Sequence, residues 1–133
     1  MDRLQVTVHE LQSAGSTAAT ALTAAGLATL DGGVPMKGPF CGVQICRVNG
    51  ALVVDPDSRT EGDADAFFTL AYSTEIAEDS TLPAPILVAS SSVGQFSLAE
   101  WKAARALGAA AAMEIFQFFK ETLQRKATVE SIA

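Results

Sequence analysis

The stretch Gly33-Val34-Pro35-Met36-Lys37-Gly38-Pro39 decides how this chain folds, because its composition is that of a rigid turn. Pro35 and Pro39 fix φ and lack an amide hydrogen, so neither fits the interior of a helix. The glycines in and beside the turn supply the backbone freedom that a sharp reversal needs. An alanine-rich helix, Ser16 to Asp31, is therefore predicted before the turn, and a strand, Phe40 to Val48, is predicted after it.

Further strands are predicted on both sides of this helix-turn-strand unit. Leu4 to His9 alternates apolar and polar residues, as a half-buried strand does. Asn49-Gly50 is the dipeptide preferred in a two-residue hairpin turn. Three later runs are also predicted to be strands, and they are Ala51 to Val54, Ala66 to Ser73 and Ile86 to Ser90. A turn or loose loop, Asp79 to Pro85, is predicted before the last of them.

A long helix is predicted after the last strand. Ser97 and Glu100 form a capping box, in which each side chain bonds the backbone amide of the other residue. The helical pattern that follows ends near Arg125, with Leu107 and Phe118 on the polar side, where they are either isolated exposed residues or part of a partner surface. The predicted order is β-α-β-β-β-β-α, an α+β fold in which helices lie on a sheet.

Length and charge limit the classes of function. The chain has 133 residues, the size of one domain, and a net charge of −6. This acidic balance argues against a protein that binds nucleic acid through a basic surface of its own. No apolar run approaches a membrane span and no signal peptide is visible, so a soluble protein is expected. Cys41 and Cys46 fall on opposite faces of a strand and are expected to be reduced and buried.

Gly15-Ser16-Thr17, at the start of the first helix, is one candidate site. Free amide groups and the positive end of the helix dipole suit a phosphate or sulfate there. Ordinary capping by Ser13 or Ser16 explains the same residues, and no Arg or Lys in the turn adds positive charge. The residues alone leave both interpretations open.

An acidic loop from Asp55 to Asp65 is the second candidate site. Its carboxylates are Asp55, Asp57, Glu61, Asp63 and Asp65. Converging carboxylates can act as a general acid, or can hold Mg²⁺ or Mn²⁺ through oxygen ligands. The alternative is a solvated loop with aspartates in turn positions.

Taken in order, these motifs resemble the RNase PH family, which includes polynucleotide phosphorylase and the ring subunits of the RNA exosome. The resemblance rests on the Gly-Ser-Thr helix start, the alanine-rich helix, Gly33–Pro39, the run Leu52-Val53-Val54-Asp55 and the acidic loop. It covers nearly the whole chain but only the C-terminal half of a family domain. It implies an RNase PH-like (ribosomal protein S5 domain 2-like) fold for residues 1–126. The tail at 127–133 is expected to be frayed, as chain termini commonly are.

The resemblance also implies a chemistry. In the family, inorganic phosphate attacks the last phosphodiester of an RNA 3′ end and releases a nucleoside diphosphate. Gly15, Ser16 and Thr17 match the phosphate-binding turn, with Thr17 where bacterial RNase PH has arginine.

The acidic residues match the catalytic part of the family pattern. The implied catalytic residues are Asp55, Glu61, Asp63 and Asp65, and Glu61 takes the place of the usual aspartate. Asp63 and Asp65 are the implied metal ligands. Mg²⁺ and inorganic phosphate are the implied cofactors if the chain is active.

Two functions follow from the resemblance. The first is a structural ring subunit of the RNA exosome, which takes part in 3′-to-5′ RNA processing and decay, including maturation of ribosomal RNA. Its implied partners are other RNase PH-like subunits in a hexameric ring, RNA through the assembled complex, and a second copy when the chain is isolated. Its implied location is the nucleus, the nucleolus and the cytoplasm. The alternative is an active phosphorolytic exoribonuclease or a divalent-metal nuclease. Thr17 and the acidic balance favour the first, whereas the number of carboxylates favours the second.

Overall fold

The computed structural model describes residues 3–33, 38–75 and 84–132, with side chains described as far as residue 129. Within these ranges it has an α+β fold, as predicted. The elements in chain order are α1 (Thr17–Asp31), β1 (Phe40–Val48), β2 (Ala51–Val54), α2 (Ser58–Gly62), β3 (Ala66–Ser73), β4 (Ile86–Gly94) and α3 (Leu98–Ile132).

The turn between α1 and β1 lies mostly outside the described residues, which resume at Gly38. On its near side, the amide of Gly32 donates to the carbonyl of Ala28 at 2.9 Å, and Gly33 follows with a positive φ. This glycine stop of α1 is confirmed. The second predicted turn, Asp79 to Pro85, also falls largely outside the described residues.

The sheet has the strand order β2-β1-β3-β4, and every neighbouring pair is antiparallel. The hairpin between β1 and β2 turns at Asn49-Gly50, as predicted, and the predicted limits of β1, β2 and β3 are confirmed. β1 and β3 pair along almost their whole length, from Phe40 opposite Ser73 to Arg47 opposite Ala66. These two strands therefore form the centre of the sheet.

The hydrophobic core lies between one face of the sheet and α3. Successive strand side chains point to opposite faces, so alternate residues of β1 and β3 enter the core. The buried core residues from the sheet and α3 include Cys41, Val43, Ile45, Phe68, Leu70, Tyr72, Ala104, Ala112, Phe116 and Phe119. The Tyr72 hydroxyl donates to the Arg105 carbonyl at 2.8 Å and holds α3 on the sheet.

Both cysteines are buried and free, as predicted. Burial raises the pKa of the Cys41 thiol to about 12. It is therefore protonated at neutral pH and unreactive as a nucleophile.

α1 lies along the part of β1 that β2 leaves unpaired. β2 pairs only with Ile45 to Val48, so within the described ranges of the chain the edge of β1 before Ile45 has no neighbouring strand on that side. The Thr23 hydroxyl takes its place, because it accepts from the Gly42 amide at 3.0 Å and donates to the Gly42 carbonyl at 3.1 Å. A Cβ on Gly42 would lie 2.8 Å from the Ala19 carbonyl oxygen, so this close approach needs glycine.

The predicted N-terminal strand, Leu4 to His9, does not form. No strand of the described chain pairs with it, and Leu4, Val6 and Val8 are all about half exposed or more. The alternating pattern marks an extended amphipathic segment, but a strand also needs a neighbouring edge with free backbone groups. The observed order is therefore α-β-β-α-β-β-α.

β4 is longer than predicted and is exposed at the edge of the sheet. It continues past Ser90 to Gly94, because ladder bonds to β3 require only backbone groups and tolerate the serine-rich sequence. Its residues Ile86, Val88 and Val93 are 58%, 59% and 63% exposed. One side of the sheet therefore ends in an apolar edge.

α3 is also longer than predicted. The Glu100 amide donates to the Ser97 hydroxyl at 3.1 Å and the Ser97 amide to Glu100 Oε1 at 3.0 Å, so the capping box is confirmed. The helix does not end near Arg125 but continues to Ile132, and the segment predicted as a frayed tail is helical up to that residue. No Gly or Pro interrupts it there. None of the helices in the described ranges is both long and apolar enough to span a membrane.

Candidate functional site

The two candidate sites of the sequence lie in direct contact. The Ser58 amide donates to the Ala14 carbonyl at 2.7 Å, which joins the start of α2 to the turn before α1. Gly15 has φ +109°, and a Cβ there would lie 2.5 Å from the Ser58 nitrogen and 2.6 Å from the Asp57 carbonyl carbon. Glycine at position 15 therefore permits a contact that closes the turn against α2.

Ser16 lies immediately before α1, but its side chain does not cap the helix. It has φ 52°, and its hydroxyl donates to the Pro56 carbonyl at 2.7 Å instead of accepting from a helix amide. Ser13 does not cap either, since its hydroxyl bonds the Thr17 hydroxyl at 3.1 Å. The capping prediction is wrong because the left-handed backbone of Ser16 turns its hydroxyl towards the acidic segment.

The Ser16 amide is bonded to an anion from the chain itself. It donates to Glu61 Oε1 at 2.6 Å, and Ser16 is only 3% exposed. A carboxylate at this position interacts favourably with the positive end of the α1 dipole. In this structure, therefore, Glu61 supplies the negative charge where the sequence predicted phosphate.

The acidic segment is not a simple loop, because it contains the short helix α2. Asp57 lies immediately before that helix, and its carboxylate accepts from the Thr60 amide at 2.8 Å. This backbone hydrogen bond is the main reason that the pKa of Asp57 lies below its usual value. Asp57 is thus a capping residue, with a role that Asp commonly has at a helix start.

Asp65 forms an ion-pair network with Arg47, which the sequence did not single out, and through it with Glu100, which the sequence identified only as part of the capping box. Arg47 Nε and Nη2 donate to the two Asp65 oxygens at 2.9 Å each, and Arg47 Nη1 donates to both Glu100 oxygens at 2.8 Å. Hydrogen bonds from Arg47 lower the pKa of Asp65 and that of Glu100. The sequence feature that could have predicted this network is Arg47 itself, because a charged side chain in an otherwise apolar strand needs a partner of opposite charge.

Asp55 and Asp63 are exposed and lie at the two ends of the segment that holds α2. Asp55 has φ 54° and its amide donates to the Gln44 carbonyl at 2.8 Å, while Asp63 follows the last turn of α2. Among the residues that the structure describes, no three His, Cys, Asp or Glu side chains converge as a cation site. Metal binding by Asp63 and Asp65 stays a prediction.

The carboxylates of this segment are therefore divided among separate contacts. Glu61 bonds the residue before α1, Asp57 caps α2 and Asp65 bonds Arg47. The Glu61 and Asp65 contacts each join two elements of the fold, whereas the Asp57 contact lies within α2. The arrangement suits a rigid connection between α1, α2 and the sheet. Three of the acidic side chains are bonded to partners within the chain.

Comparison with known proteins gives a relationship over nearly the whole chain. The chain is 33% identical over 127 residues to the exosome complex component RRP46 homolog of Caenorhabditis elegans, a match that covers 96% of this chain and 57% of that protein. The crystal structure of cell-death-related nuclease 5 of C. elegans superposes with a TM-score of 0.77 at 33% identity, covering 92% of this chain and 64% of that one.

A further solved structure supports the fold. Rice (Oryza sativa) Rrp46 has a TM-score of 0.73 at 22% identity and covers 86% of this chain and 51% of that one. No protein-family model matches the chain. The chain thus spans between half and two thirds of the length of each of these three proteins.

Proposed function

Because the chain is related along nearly its whole length to an exosome complex component, the RRP46 homolog of C. elegans, we propose that it acts within the RNA exosome as a structural subunit. In this role it contributes to 3′-to-5′ processing and decay of RNA, including ribosomal RNA, in the nucleus, nucleolus and cytoplasm. Its partners are other RNase PH-like subunits in a hexameric ring, and RNA reaches it through the assembled complex. Its apolar sheet edge at β4 is consistent with burial in an assembly.

One contact favours the structural role over phosphorolysis. The amide of Ser16, the group predicted to bind phosphate, already donates to Glu61 Oε1 at 2.6 Å. Phosphate would have to displace the Glu61 carboxylate from the amide of Ser16, which is nearly buried. The turn contains no arginine that would favour this exchange. Glu61 is also one of the predicted catalytic residues. One hydrogen bond therefore occupies both the amide predicted to bind phosphate and a carboxylate predicted to act in catalysis.

Assembly tests the proposed role directly. The chain is co-expressed with other RNase PH-like exosome subunits from the same source, and the mixture is separated by size-exclusion chromatography. We expect the chain to elute with its partners in one complex. Elution of the chain apart from every such subunit would overturn the proposed role.

Catalysis is tested on the same material with 3′-labelled RNA, with phosphate and Mg²⁺ added or withheld. We expect no release of nucleoside diphosphate, and no rise in the thermal midpoint of the chain with phosphate, because Glu61 holds the Ser16 amide. Diphosphate release that disappears in Asp63→Ala would identify an enzyme instead. Asp63 is the better test position, since Asp65 is bonded to Arg47 and its loss would also disturb the fold.

A further inference from the structure

The hairpin turn Asn49-Gly50 carries a reactive pair of groups that the proposed function does not use. Asn49 is the only asparagine in the chain. The side-chain amide of an asparagine can react with the backbone nitrogen of the next residue, and glycine hinders this reaction least because it has no side chain. One other dipeptide, Asp31-Gly32, also places a reactive side chain before a glycine. The structure treats these two dipeptides differently.

The turn leaves both reacting groups of Asn49-Gly50 open to solvent. Both residues are exposed, and φ is 51° at Asn49 and 77° at Gly50, as in a two-residue type I′ turn. Within the described ranges, neither the Asn49 side chain nor the Gly50 amide is hydrogen bonded to another residue. A Cβ built on Gly50 would have no other atom within 4 Å. The backbone of the turn can therefore rotate without disturbing packed neighbours.

Asp31-Gly32 is held on both sides of the same reaction. The Gly32 amide donates to the Ala28 carbonyl at 2.9 Å, so its nitrogen is not free to attack. The Asp31 carboxylate accepts from Lys126 Nζ at 2.5 Å, and Asp31 is the last residue of α1. The fold therefore protects this dipeptide and leaves Asn49-Gly50 reactive.

We propose that Asn49 is a self-modification site, at which the chain converts asparagine to isoaspartate with water as the co-reactant. The Gly50 nitrogen gives its proton to solvent and bonds to Asn49 Cγ. The Cγ–Nδ2 bond then breaks, and ammonia leaves with a proton that solvent returns. Water opens the resulting cyclic imide, giving isoaspartate when it attacks the backbone carbonyl and aspartate when it attacks Cγ.

The product alters the turn that sets the β1–β2 hairpin. In isoaspartate the main chain runs through Cβ and Cγ, so the two-residue turn becomes longer by one backbone carbon. β2 has only four residues, and its pairing begins directly at the turn, where Val48 faces Ala51. Because turn length sets the register of a hairpin, the longer turn weakens this pairing. The inference does not depend on a role in the exosome, because it uses only this hairpin.

Ageing of the complete chain in mildly alkaline buffer tests the reaction, because the attacking nitrogen must lose its proton. We expect ammonia release, a new band with one more negative charge in isoelectric focusing, and isoaspartate at position 49 in peptide mapping by mass spectrometry. The matched control is Asn49→Gly, which keeps a dipeptide suited to the type I′ turn and lacks the side-chain amide. It is expected to give neither ammonia nor the acidic band.

Ageing in concentrated urea separates the effect of the fold from that of the sequence. The unfolded chain is expected to form isoaspartate at both Asn49 and Asp31, because urea releases the Gly32 amide and the Asp31 carboxylate from their partners. The folded chain is expected to form it at Asn49 and not at Asp31.

Thermal unfolding tests the effect on the hairpin. The isoaspartate chain, purified by ion exchange, is expected to unfold about 2–8 °C below the fresh chain. Asn49→Asp is the control for charge, because it adds the same negative charge without lengthening the turn. Its midpoint is expected to stay within about 1 °C of the wild type, as for most exposed substitutions.

Four results would overturn the proposal. They are a folded chain that forms no isoaspartate at Asn49, an acidic band of equal intensity in Asn49→Gly, isoaspartate at Asp31 of the folded chain as fast as at Asn49, and an isoaspartate chain as stable as Asn49→Asp. The last result would remove the inferred effect on the hairpin, and the other three would remove the site itself.

Discussion

A single hydroxyl group, that of Thr23, completes the edge of β1 where β2 ends. Thr23→Val keeps the shape of the side chain but leaves the Gly42 amide and carbonyl without this partner. We expect the free energy of unfolding to fall by roughly 1–3 kcal/mol, the usual cost of unpaired polar groups in a packed contact. Urea unfolding followed by circular dichroism measures the change.

Thr20→Val is the matched control, because Thr20 lies on an exposed part of the same helix. The same substitution there is expected to alter the free energy by no more than about 0.5 kcal/mol. If the two variants lost equal stability, the cause would be the lower helix preference of valine, and the contact with Gly42 would have no special role.

At the scale of the element, the sequence predicted well what nearby residues determine. β1, β2 and β3 begin and end where predicted, and the capping box before α3 forms, because apolar alternation, Asn49-Gly50 and Ser97-to-Glu100 spacing are local signals. The predicted strand at Leu4 to His9 and the predicted end of β4 were wrong for a related reason. Whether an extended segment becomes a strand, and how far it runs, depends on the edge beside it, which the local sequence does not contain.

The end of α3 leads to a prediction at this scale. Residues 127–129 are helical but exposed, whereas Lys126 Nζ bonds Asp31 of α1 at 2.5 Å. A chain that ends at Lys126 is therefore expected to match the intact chain in free energy of unfolding to within about 0.5 kcal/mol.

A chain that ends at Lys120 is the control for this truncation. It loses the half-buried Leu123 as well as the contact between Lys126 and Asp31, and a clear fall in the thermal midpoint is expected. A large loss on removing only the residues after Lys126 would show that the last turns of α3 support the fold.

At the scale of the whole molecule, the contacts that define the candidate site join distant parts of the chain. Glu61 bonds a residue 45 positions away, and Arg47 joins residues 18 and 53 positions away. The sequence identified the carboxylates and the helix start, because these residue types and their order are visible locally. It could not show that the two bond each other, since such pairing depends on how β1, β3 and the helices come together.

The network of Arg47, Asp65 and Glu100 makes stability depend on pH. Both carboxyl pKa values lie below their usual values of 3.8 and 4.5, chiefly through hydrogen bonds from Arg47. The unfolded chain therefore binds protons at a higher pH than the folded chain does. The contribution of these two carboxylates to the free energy of unfolding is complete above about pH 6. It is lost as pH falls through the usual pKa values and then through the lowered ones.

Thermal midpoints measured from about pH 7 to about pH 2.5 test this dependence against Arg47→Met. The wild type is expected to lose more stability on acidification than the variant, because the variant cannot hold either pKa down. Lys102→Met removes the same charge from an exposed position on α3 and should keep the wild-type slope. Parallel curves for the wild type and Arg47→Met would mean that this network contributes nothing to acid sensitivity, and that other groups, such as the capping Asp57, account for it.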